Sequence, residues 1–129
     1  MPQFGTKSRA GRDSCDPRLI HTLDYTIQRM DCSVIWGHRG QLAQQEAFLS
    51  GASQLAWPLS NHNAKPSMAV DVVPFPTGYN SLPEFYELAS YMYAGAAQIG
   101  VHLIWGGHWK NYTGKGHNDR DWAHWEIAE

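Results

Sequence analysis

The sequence predicts an α+β domain: a small, largely antiparallel sheet packed with about three helices. Three observations point there. Helical and strand-like segments mix without strict βαβ alternation, and the strand-like runs are short and β-branched. The chain has 129 residues, enough for one core and too few for two. A single domain over residues 1–129 is therefore expected.

Residues 1–14 are polar, with Gly5, Gly11 and several basic side chains, and read as an N-terminal arm laid over the surface. Asp16-Pro17 then offers an N-cap followed by proline at the first helical position. Leu19, Ile20, Leu23, Ile27 and Met30 recur at three- and four-residue steps, so a helix is expected from 17 to 30. Ser33 to Trp36, closed by Gly37, reads as a buried strand. Gln41 to Ser50 holds good helix formers, with Leu42, Gln45 and Leu49 on one stripe and Gly51 where a C-terminal cap belongs. From Ala52 to Ser67 the periodicity disappears, and connections of that length often carry function. Met68 to Val73 returns to strand character and is ended by Pro74 and Pro76. Ser81 and Glu84 form a capping box, and Leu82, Phe85, Leu88, Ala89, Met92, Ala96 and Ile99 keep a helical period up to Gly100. Val101 to Trp105 reads as a strand, Gly106 to Arg120 as a Gly- and Asn-rich loop, and His124 to Ala128 as a last strand.

Composition excludes several functional classes. Lys plus Arg is 10 against 12 for Asp plus Glu, a net charge of −2 that argues against nucleic-acid binding. Aromatic residues at 12% and charged residues at 17% argue against disorder. No run approaches the roughly 18 apolar residues of a membrane helix, and residues 1–13 lack the apolar stretch of an export signal. Stable membrane insertion is not expected, and a monomer is. Cys15 and Cys32 cannot make a disulfide framework and read as reduced thiols, with a single disulfide as the alternative.

Seven histidines stand out against this low charge. Asp71 lies in the middle of an apolar strand, where an ionised carboxylate is costly unless paired, hydrogen-bonded or bound to metal. His62 closes the long loop, and His124 opens the last strand with Asp121 three residues before it. Two imidazoles and a carboxylate would give zinc an N,N,O set with an open fourth position. On spacing alone, His62 reads more readily as an exposed loop histidine than as a ligand, and Asp71 equally as a carboxylate satisfied by amides or an arginine. His21 and His102, within apolar segments, read as partly buried. His38, His108 and His117 read as solvated.

The full segments are more specific than the spacing. Ser60-Asn61-His62-Asn63, with Pro66 to Pro74 (PSMAVDVVP), resembles the S-x-H…A-x-D-x-x-P signature of the zinc peptidases that include VanY-type D-Ala-D-Ala carboxypeptidases and phage L-alanyl-D-glutamate endolysins. Asp121 to Glu126 (DWAHWE) is similar to the closing D-x-x-H-[FW]-E segment of that family. Val34 to Arg39, Gln45 and Gly51-Ala52-Ser53 look like its G-x-R…Q…G-x-S stretch, and Phe4-Gly5, Ser8 and Asp16-Pro17 like the arm of the phage members. His62 and Asp71 stand two residues further apart than in many members.

The resemblance implies a single peptidase catalytic domain with Zn2+ held by His62, Asp71 and His124. It implies Asp121 as general base, Arg39 as a catalytic and substrate-binding cation, and Gln45, Ser60 and Trp109 as further substrate contacts. The implied activity is cleavage of the L-Ala–D-Glu bond in bacterial peptidoglycan by a phage endolysin, made in the host cytoplasm without a signal peptide and acting on the cell wall. The alternatives are a D,D- or L,D-carboxypeptidase of the same family, or a non-catalytic wall-binding module.

Overall fold

The last strand of the sequence, His124–Ile127, does not close the sheet at its edge but enters its middle, and that insertion builds the site. In the computed structural model, which describes residues 2–109 and 120–129, the strands are β1 (Cys32–Trp36), β2 (Ala69–Pro74), β3 (Leu103–Trp105) and β4 (His124–Ile127). They lie in the order β1-β2-β4-β3, and each neighbouring pair is antiparallel. The helices are α1 (Thr6–Asp13), α2 (Pro17–Ile27), α3 (Gln41–Leu49) and α4 (Leu82–Ala97). The architecture is α+β, as expected from sequence.

Two helices start as their caps dictate. The Asp16 side chain accepts the Arg18 amide ahead of Pro17, and the Ser81 side chain accepts the Glu84 amide. Leu19, Leu23 and Ile27 of α2 and Phe85, Leu88 and Met92 of α4 join Val70, Val72, Trp105, Trp125 and Ile127 in one core between helices and sheet.

Four expectations need correcting. Residues 6–13, read as an arm, form α1, which buries none of its own residues and so carries no apolar stripe to reveal it. It docks through Gly11, where a Cβ would meet the Val34 side chain, and through its last turn, whose Gly11 carbonyl and neighbouring Ser14 hydroxyl leave no room for a Cβ on Gly37. The proposed stripe of α3 faces solvent, with Leu42 and Leu49 exposed and only Gln44 buried. Strand β1 is buried only at its start, since Ile35 and Trp36 are exposed. His21 and His102 are exposed rather than partly buried. Cys15 and Cys32 are both free and buried, and burial pushes each thiol up to about 12. Most of the loop expected from Gly106 to Arg120, with Tyr112 and His117, lies outside the described residues.

Candidate metal centre and active-site cleft

His62 sits on a single 3-10 turn, Asn61–Asn63, at the end of the long loop. Side chains pin that turn. The Ser60 hydroxyl accepts the His62 amide at 3.2 Å, and the Asn63 side-chain oxygen accepts the Ser60 amide at 3.0 Å. Sheet register supplies the other two candidate donors, because Asp71 on β2 lies directly across from His124 on β4. Strand alternation sends Val70, Val72, Trp125 and Ile127 into the core, and turns Asp71, His124 and Glu126 to a cleft of about 540 Å³.

Three atoms converge in that cleft. His62 Nε2 lies 3.2 Å from Asp71 Oδ1 and 3.3 Å from His124 Nδ1, and His124 Nδ1 lies 3.3 Å from the same carboxylate oxygen. All three residues are buried. Their outer nitrogens fix the tautomers. A carbonyl can only accept, so His62 Nδ1–H donates to the Gly37 carbonyl at 2.8 Å, while His124 Nε2–H donates to Glu126 at 2.7 Å. When neutral, each ring would therefore turn a lone pair toward Asp71.

Two lone pairs and a carboxylate oxygen cannot satisfy one another, so the trio is suited to holding a cation, either a metal ion or a proton. Zinc bound tetrahedrally to nitrogen and oxygen at about 2.0–2.1 Å would hold its donors about 3.3–3.4 Å apart. The observed spacings agree with that, and the donor types suit zinc. In the metal-free chain a proton relieves the trio instead. Burial would lower the His124 imidazole, but hydrogen bonds to Asp71 and Glu126 outweigh it and push it up to about 9. Burial would likewise raise Asp71, but the two histidines outweigh it and hold its carboxyl below the usual range.

Asp121 lines the same cleft and is not one of the three converging donors. Its backbone passes against Gly106, where a Cβ would collide with the Asp121 carbonyl and side chain. Burial first, then the negative charge of Asp71, pushes its carboxyl up to about 6 despite the opposing charges of His124, His62 and Arg39. A carboxylate with that pKa can take and return a proton near neutrality.

Arg39 also lines the cleft and is 7% exposed. Its Nη2 donates to Asp71 Oδ2 at 3.4 Å, on the carboxylate oxygen away from the trio, and its Nη1 donates to Gln44 at 3.1 Å. The Trp36 ring lies 5.0 Å from the guanidinium. Ser60 and Trp109 line the cleft as well, and the Trp109 ring centre is 5.1 Å from that of His124.

Gln45 does not line the cleft; it is exposed on α3. Its neighbour Gln44 points inward, since one helical step turns the side chain by about 100°. The fully buried Gln44 amide accepts from Arg39 and from Asn63 Nδ2 at 3.1 Å, and donates to Ser53 Oγ at 3.0 Å and the Leu55 carbonyl at 2.6 Å. It thus ties Arg39, the His62 turn and the long loop together. Gln44→Leu strands several buried polar groups and is expected to destabilise the fold by about 3 kcal/mol, measurable by urea denaturation, whereas Gln45→Leu should cost almost nothing.

Sequence reasoning also missed part of the cleft wall. The β1–β2 register slips between Val34 and Trp36, so strict alternation fails and both Ile35 and Trp36 line the cleft, joined by Tyr79. Nothing in the SVIW run signals that bulge.

A family model described as phage L-alanyl-D-glutamate peptidase matches residues 2–127. Among solved structures, the chain is similar to the L-Ala D-Glu endopeptidase ChiX of Serratia marcescens, with a TM-score of 0.76 and 24% sequence identity over 98% of this chain and 90% of that one. At that identity the likeness speaks to the fold. No curated protein sequence matches the chain.

Proposed function

The chain belongs to the phage L-alanyl-D-glutamate peptidase family, and from that premise we propose a zinc-dependent mechanism by which it cleaves the L-Ala–D-Glu bond of peptidoglycan stem peptides. The convergence of two imidazole nitrogens on Asp71 Oδ1, donor types that suit zinc, carries the zinc assignment. His62 Nε2, Asp71 Oδ1 and His124 Nδ1 would hold the metal. Zinc bound there would supply Lewis acidity toward a water and the scissile carbonyl.

The remaining steps fall to the protein. Asp121 accepts the proton of the attacking water and returns it to the leaving amine of D-Glu, so the L-Ala carboxyl and the D-Glu amine both end free. Arg39 holds Asp71 from behind and lines the cleft. This always-protonated side chain therefore meets the negative charge of the substrate or of the transition state. Trp36, Tyr79 and Trp109 give the stem peptide an aromatic-lined channel.

Digestion of purified peptidoglycan, followed by mass spectrometry, tests the assignment. New N-terminal D-Glu or D-iso-Gln and new C-terminal L-Ala, with little free D-Ala, is the expected pattern, and a chelator should suppress it. Abundant D-Ala without endopeptidase products would overturn the endopeptidase reading in favour of a carboxypeptidase.

A further inference from the structure

We infer that Asn61 and Glu126 form a positioning pair that selects the nitrogen with which His124 meets the metal, a role that rests on the zinc centre proposed above. The His124 side chain rises from a strand into the cleft, and either of its ring nitrogens suits zinc in general. Glu126, two residues along β4 and on the same face, settles the choice by accepting His124 Nε2–H at 2.7 Å. That bond leaves Nδ1, not Nε2, turned to Asp71 and His62.

Glu126 is itself held. Asn61 Nδ2 donates to its second oxygen at 2.8 Å, so the carboxylate bridges the loop and the strand. Asn61 precedes His62 on the same 3-10 turn. One turn therefore presents the His62 donor and, through Glu126, orients the His124 donor 62 residues away. Neither Asn61 nor Glu126 is among the three converging donors, so their effect on the metal passes through His124. Hydrogen-bond partners of metal-ligating histidines typically change metal affinity by about 10- to 100-fold when removed.

Zinc affinity of the full chain, measured by chelator competition near neutral pH, tests the inference separately from activity. Glu126→Ala is expected to weaken zinc binding by about 10- to 100-fold, and Asn61→Ala by a smaller factor in the same direction. Glu126→Gln keeps an acceptor for His124 Nε2–H, and the Asn61 amide can turn to meet its NH2 group; most of the affinity should survive. Nitrogen NMR of the zinc-loaded chain should identify Nδ1 as the ligating atom of His124, and a mixture of Nδ1 and Nε2 in Glu126→Ala. Thermal melting of the metal-free variants controls for folding. Affinities within twofold of the parent in both alanine variants would overturn the inference, as would equal losses in Glu126→Gln and Glu126→Ala, which would indicate charge rather than orientation. Absence of zinc binding in the parent chain would overturn both this inference and the zinc centre, whereas full retention in every variant would overturn this inference alone.

Discussion

Asp121→Asn is expected to lower turnover by about a hundred- to ten-thousand-fold while one equivalent of zinc stays bound. The amide keeps the shape of the carboxylate and cannot take a proton. The three donors, held by Gly37, Arg39 and Glu126, do not depend on it. Because burial and the Asp71 charge raise Asp121 to about 6, its basic form grows as pH increases, so turnover of the parent enzyme should rise through an acid limb. A divalent cation on the donors offsets the Asp71 charge, which puts that limb at or below pH about 6. Steady-state kinetics on soluble muropeptides, with elemental analysis of the same samples, checks both parts. Loss of zinc together with activity would make Asp121 a support of the metal rather than the base.

Stripping the metal with a chelator is expected to abolish turnover, and zinc to restore it in the parent but not in His62→Ala. His62 is 2% exposed and its ring bridges the Gly37 carbonyl to the other donors, so no solvent ligand can replace it in the same place. Binding should also release a proton. His124 in the metal-free chain stays protonated below about 9, and zinc must displace that proton, so affinity falls as pH falls. The metal should stabilise the fold as well: a ligand at a hundred times its Kd adds about 2.7 kcal/mol. Calorimetric melting with and without zinc reads this directly, and an unchanged Tm in the parent would contradict the assigned site.

Helix α2, helix α4 and the strands around Asp71 and His124 were legible because each declares itself locally, through a cap or through alternation against an apolar core. Helix α1 was not, because it docks through glycine backbone and makes no apolar stripe. The donor set was legible for a different reason. An aspartate among valines is a contradiction that chemistry must resolve, and the surrounding motifs carry that resolution along the chain.

What lies across the chain was not legible. Gln44 and Gln45 are the same letter, and only the rotation of α3 against the loop makes one the centre of a buried network and leaves the other in water. Glu126 has no visible role until β4 enters between β2 and β3 and the Asn61 turn reaches its second oxygen. Local sequence thus specified which residues were candidate donors. The tautomers, the 3.2–3.3 Å spacing and the cleft wall arose from sheet order, a bulge and a pinned turn, all of which depend on contacts between distant residues.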